Sequence, residues 1–183
     1  MWQRRVTARV MDSARAKARQ LAAESLERDA PLGCFEPLHA NGDEAAIRWA
    51  DMRSNPHLTG WLDRTCTARA GRRPLVVGCS LGNDAEDLAR HDFAATVFDI
   101  APTAVDWCRR RFPALSVEYA GADVLALPAA WAGAFDLVVE ADMRQMLPPG
   151  ARGTAMGRMA LGRPRPCLHT YSQRRIATIV RPA

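Results

Sequence analysis

The stretch Pro74-Leu75-Val76-Val77-Gly78-Cys79-Ser80-Leu81-Gly82-Asn83 decides the fold. Leu75, Val76 and Val77 follow one another without polar alternation. A short apolar run of this kind marks a strand buried on both faces, as in a parallel sheet. It stops at a loop bounded by two glycines, and a helical pattern follows from Asn83 to Arg90. The same unit then repeats downstream. Thr96-Val97-Phe98 reads as a second strand and stops at Asp99. Pro102 opens a helix running to Phe112, the position in a helix where proline costs least. Ser116 to Tyr119 is a third strand with Asp123 just past it, and Phe135 to Glu140 is a fourth. Strands alternating with helices predict an α/β fold, a Rossmann-like three-layer sandwich with a parallel sheet. Ligands in such sheets bind at the carboxyl ends of the strands.

Upstream of Pro74 the chain reads as helix and loop. Thr7 to Arg28 is rich in Ala, Arg, Glu and Leu and predicts a helix, with Met11 as natural a start as Met1. A loop marked by Pro31, Gly33, Pro37, Asn41 and Gly42 follows, then an amphipathic piece from Asp43 to Met52 carrying Trp49. Ser54-Asn55-Pro56 is a helix start, and that helix extends to about Thr67. Downstream, Gly150 to Leu161 predicts a helix, and Gly162-Arg163-Pro164-Arg165-Pro166 breaks it. Cys167 to Ser172 and Ile176 to Val180 are weak strand candidates. The division is therefore a helical N-terminal lid (1–70), a ligand-binding core (71–161) and a basic tail (162–183) with incomplete or atypical strands.

Composition narrows the function. A chain of 183 residues supports one domain with a sizeable core. The net charge of +5 is concentrated at the two ends, while the middle is mixed and rather acidic; this predicts solvated tails, with no nucleic-acid partner. The five cysteines include no C-x-x-C pair, and the four histidines lack metal-ligand spacing, so neither a disulfide framework nor a metal site is expected. No apolar run approaches the roughly 20 residues of a membrane span, and no signal peptide is evident. The expected location is the cytoplasm.

The loop Gly78-Cys79-Ser80-Leu81-Gly82 admits three chemistries. A nicotinamide fingerprint, G-x-G-x-x-G, fails at Ser80 and Asn83. A nucleophile elbow, G-x-S-x-G, fits Ser80, with Asp123 or Asp142 and then His169 in the chain order of an α/β-hydrolase. That serine normally follows several strands, however, and only one precedes it here. The third chemistry is a loop for S-adenosyl-L-methionine, a ligand without phosphate that needs only close backbone approach. The acids at successive strand ends favour it. Asp99 is placed to accept from the ribose hydroxyls and Asp123 from the adenine amino group, with Val124 packing on the ring; Glu140 ends the fourth strand.

These residues carry a family resemblance. PLVVGCSLGNDAEDLARHDFAATVFDIAPTAVDWCRRRFP resembles the first motif and the following acidic motif of class I S-adenosylmethionine-dependent methyltransferases, most of all the bacterial branch similar to thiopurine methyltransferases. ADVLALPAAWAGAFDLVVEADMRQMLPP is similar to the later motifs, and GCFEPLHANGDEAAIRWADMRSNPHLTGWLDR to the lead-in that covers the cofactor. The resemblance implies Gly78, Cys79, Ser80, Gly82, Asp99, Asp123 and Glu140 as cofactor residues, Ile100 and Val124 as adenosine neighbours, and Trp49 as a lid residue. It implies a small-molecule acceptor, a thiol or similarly soft nucleophile, needing no strong base. Asp142 and Arg144 lie where that acceptor would sit. Ser80 stands where the family has glycine. The family also continues with a Pro-Gly-Gly turn, a fifth strand and a hairpin, none of which shows in Arg163 to Gln173. That departure is expected if the reading frame shifted near Ala160 or the product is a truncated remnant. A degenerate, non-catalytic protein of the same fold, or a serine hydrolase using Ser80, are the alternatives.

Overall fold

The structure is a computed structural model that describes residues 16–40, 53–64, 72–114, 116–141, 143–159, 167–172 and 175–180. Helix α1 covers 16–27, and α2 spans Phe35–Ala40 within the stretch expected to be loop. Pro37 does not prevent α2, because it sits in the first turn, where no N–H is needed. The helix α3 is Pro56–Arg64, and the Asn55 side chain accepts from the His57 N–H at 2.9 Å to cap it. Next come β1 (Pro74–Val77), α4 (Asn83–Arg90), β2 (Thr96–Asp99), α5 (Pro102–Arg111) and β3 (Glu118–Gly121). After a single 3-10 turn come β4 (Leu137–Ala141), α6 (Met143–Met146), α7 (Pro149–Met159), β5 (Cys167–Ser172) and β6 (Arg175–Val180).

The sheet order is β3-β2-β1-β4-β5-β6, parallel throughout except for β6. Every residue of β1 and β2 is buried, as the apolar runs require. The pleat sends Val76, Val97, Leu137 and Val139 to one face, packed with Leu58 and Leu62 of α3, Leu88 of α4 and Val105 of α5. Leu75, Val77, Phe98 and Val138 go to the other face, against Ala155 and Met159 of α7 and the loop holding Val124 and Phe135. This is the three-layer sandwich.

Two expectations are corrected. The third strand lies two residues later than expected, because pairing with β2 sets Thr96 against Glu118 and Asp99 against Gly121. The tail does continue the sheet: Cys167–Ser172 runs parallel to β4 as a fifth strand, and Arg175–Val180 folds back on it as a hairpin. Backbone pairing along β4 supplies what the weak side-chain pattern did not signal. Among the described residues no helix is long and apolar enough to cross a membrane.

Candidate functional site

The strand order reverses between β1 and β4, and a cavity of about 530 Å³ opens at the carboxyl ends of β1 and β2. Its size suits a small molecule or cofactor. Gly78, Cys79 and Ser80 form its floor; Asp99, Ile100, Ala122 and Val124 form one wall; α2, α3, the start of α4 and α6 contribute to the rest.

The two loop glycines serve different ends. Gly78 has φ +80, and a β-carbon there would meet nothing nearer than Met143 at 3.9 Å. The space above it belongs to the cavity, so backbone can lie close to a ligand. Gly82 has φ +83, but a β-carbon there would come within 3.0 Å of Phe112 and 3.1 Å of the Cys108 sulfur. Gly82 lets α4 start tight against α5 and does not line the cavity. Ser80 holds φ 47, a left-handed conformation that glycine adopts freely and serine does not.

Asp99 is buried, and both its oxygens are occupied. Oδ2 accepts from the Cys79 N–H at 3.0 Å and Oδ1 from the Ala101 N–H at 2.9 Å. The carboxylate therefore ties the glycine loop to the end of β2, and each oxygen keeps a lone pair for a further donor. Ile100 and Val124 line the cavity wall.

Asp123 and Glu140 do not line the cavity. Asp123 turns into its own loop, accepting from the Leu125 N–H at 2.7 Å. Glu140 is buried and accepts from the Arg144 N–H at 2.8 Å, steadying the start of α6. Both acids satisfy backbone donors left over where the chain turns away from a strand. Trp49 and Asp142 lie outside the described residues. Arg144 is exposed and its side chain is not on the cavity wall.

The sequence reading missed the contribution of α2 and of the α3–α4 corner. Phe35 and His39 of α2 face the cavity, and the His39 Nδ1–H donates to the Phe35 carbonyl at 2.8 Å. Arg53, Asn55, His57 and Asp84 line it too. The Asp84 Oδ1 accepts from the Asn55 N–H at 2.6 Å. Burial, ahead of repulsion from Asp87, raises its pKa to about 6. The signal was present in Asn83-Asp84, but an acid in a first helical turn is explained equally well by the helix dipole.

The hydrolase alternative gains no support. The Ser80 Oγ is sealed from solvent and has no hydrogen-bond partner among the described residues; the side chains of Asp142 and His169 lie outside the description. Cys79 is no nucleophile either: its hydrogen bond with Cys108 and then burial raise the thiol pKa well above the ordinary value. No group of histidines, cysteines and acids that could hold a metal occurs among the described residues.

Comparison with known proteins agrees with this geometry. Residues 75–161 match the family described as Methyltransferase domain. The chain is 31% identical over 122 residues to a ubiquinone biosynthesis O-methyltransferase of Azotobacter vinelandii, covering 61% of this chain and 52% of that protein. A second protein of that description, from Bordetella parapertussis, is 29% identical over 116 residues, covering 58% and 48%. The chain thus spans about half the length of these relatives. Among solved structures, the N-methyltransferase NodS of Bradyrhizobium japonicum WM9 with S-adenosyl-L-homocysteine aligns at TM-score 0.54 and 26% identity, covering 80% of this chain and 70% of that one. Through residues 75–161 the chain therefore resembles the S-adenosylmethionine-dependent methyltransferases in both sequence and fold.

Proposed function

We propose that this chain transfers the methyl group of S-adenosyl-L-methionine to a small-molecule acceptor. The observation that carries this is the cavity: an open glycine floor at Gly78, the anchored carboxylate of Asp99 and an apolar wall of Ile100, Ala122 and Val124. The residues fit the cofactor. Gly78 and Cys79 would lie beneath its thioether part, Asp99 would take the ribose hydroxyls, and Ile100 and Val124 would hold the adenine. Gly82, Asp123 and Glu140 support this set from outside the wall.

The cofactor supplies the activated methyl group. The protein's own share is orientation of the acceptor and exclusion of water. Met143, Met146 and Leu147 give the acceptor's approach an apolar, adaptable surface. Residues 1–70 act as the lid in this reading. The relatives are described as O-methyltransferases, which favours a hydroxyl acceptor; the likeness to the thiopurine methyltransferase branch favours a sulfur one. The degenerate-protein alternative loses its footing, since it rested on a missing fifth strand that is present.

A thermal melt with and without S-adenosyl-L-homocysteine tests the proposal. Ligand at about 100 times its dissociation constant should add roughly 2.7 kcal/mol, a rise of several degrees. Asp99→Ala should abolish the rise, and Ile100→Asp should reduce it without releasing the two backbone donors that Asp99 holds. No rise in a cooperatively melting wild-type chain would overturn the proposal.

A further inference from the structure

Helix α5 ends in three arginines, Arg109, Arg110 and Arg111, which the helix dipole alone would explain. The structure gives them different tasks. Arg110 is exposed. The Arg109 guanidinium donates to the Tyr119 carbonyl of β3 at 2.7 Å. Arg111 is half-buried and serves the loop after β1. Its Nη1 donates to the Leu81 carbonyl at 2.5 Å and to the Asn83 Oδ1 at 3.3 Å. The guanidinium also lies over the Phe112 ring, 4.9 Å from its centroid.

That loop needs holding. Gly78, Ser80 and Gly82 all have positive φ. The two glycines adopt such a conformation freely, whereas Ser80, at φ 47, does not. The Ser80 Oγ has no hydrogen-bond partner among the described residues, so the side chain does nothing to secure its own backbone. A strained residue persists only where its surroundings over-determine it. Here the surroundings are the last turn of α5. The Cys108 sulfur lies 3.7 Å from the Ser80 carbonyl oxygen and 3.9 Å from that of Cys79. Phe112 packs so close to Gly82 that a β-carbon there would come within 3.0 Å of its ring. A thiol is a weak donor and a ring edge supplies no strong one; among these contacts Arg111 alone is a charged donor.

The carbonyls of Cys79, Ser80 and Leu81 are thus engaged from the α5 side, while Gly78, Cys79 and Ser80 present the cavity floor. Asp99 secures the loop near its start, through the Cys79 N–H, and Arg111 secures it near its end. Resting on the cofactor reading above, we propose that Arg111 is a positioning residue for cofactor binding. It is not on the cavity wall and acts through the loop, holding the backbone in the shape the ligand meets and offsetting the conformational cost of serine at position 80.

Isothermal titration with S-adenosyl-L-homocysteine, run beside thermal melts, separates this from a purely structural role. Arg111→Ala should lower affinity about tenfold, the scale of one lost charge-assisted bond. Arg109→Ala removes a bond of the same kind from the same helical turn, made to β3 and not to the loop; its affinity should stay within about twofold of wild type. Ser80→Gly removes the strain that Arg111 opposes, so in that background Arg111→Ala should cost no more than about threefold. A loss of stability alone would not be rescued in this way. Unchanged affinity in Arg111→Ala, an equal loss in Arg109→Ala, or a loss that persists in full beside Ser80→Gly overturns the proposal. Should Arg111→Ala fail to fold, Arg111→Lys keeps the charge but loses the planar fork, and is read in the same way. A wild-type chain that does not bind S-adenosyl-L-homocysteine overturns the cofactor reading itself; one that binds it while the Arg111 and Arg109 variants behave alike overturns only the role of Arg111.

Discussion

Asp84 links pH to stability at the level of a single residue. Its pKa rises from 3.8 to about 6 on folding because burial disfavours the charged form. A folded value above the unfolded one means that its favourable contribution is complete below about pH 4 and is lost as pH rises through about 6. Asp84→Asn stays neutral and still accepts from Asn55. It should therefore melt above wild type at pH 8 and with it near pH 3.5, as calorimetry at the two values would show. A lower melt at pH 8 would mean that the charge is already compensated by Arg53 or His57. The left-handed positions allow a second comparison. Ser80→Gly relieves a strained φ and removes a buried, unpartnered hydroxyl, so it should stabilise by roughly 1 kcal/mol. Gly82→Ala should cost about 2–4 kcal/mol, since it adds strain at φ +83 and a collision with Phe112 and Cys108. Urea unfolding of both variants distinguishes these outcomes. The sequence alone could show two glycines around a loop. It could not show that one opens the cavity and the other packs a helix, because that depends on what lies beside each.

At the scale of elements, the site depends on helices that reach across the chain. Glu36 of α2 accepts from the Thr103 hydroxyl at 2.6 Å and the Thr103 N–H at 3.1 Å, capping the start of α5 from outside. Ala101, which precedes α5, has no side chain able to cap it. Glu36→Ala should cost about 1–2 kcal/mol and also weaken S-adenosyl-L-homocysteine binding, since α2 carries Phe35 and His39 on the cavity wall. Parallel melts and titrations would test both effects; unchanged binding would show that α2 is held by packing alone. The existence and type of α4, α5 and the first four strands were legible from apolar runs, Pro102 and the turn residues. Helix α2 was not, because Pro31, Gly33 and Pro37 dominate its local signal, and its partner lies 67 residues away.

For the whole molecule, β5 and β6 decide whether the sheet is complete. Without them β4, with Val138 and Val139 fully buried at present, becomes an open edge. Removing residues 167–183 should abolish cooperative melting and promote aggregation through that edge. Loss of near-ultraviolet dichroism and light scattering would report it; a truncated chain that melts like the full one would show that the hairpin is dispensable. By itself the sequence determined the α/β class, the first four parallel strands, the glycine loop after the first of them and the acid Asp99 at the end of the second. All of these follow from local patterns: buried strands are apolar on both faces, and ligands gather where parallel strands end. The tertiary structure decided the rest. It joined the tail to the sheet by backbone pairing that is blind to side-chain type. It turned Asp123 and Glu140 to backbone donors, and brought Asp84 and Arg53 to the cavity, because hydrogen-bond partners are fixed by proximity in space and not along the chain.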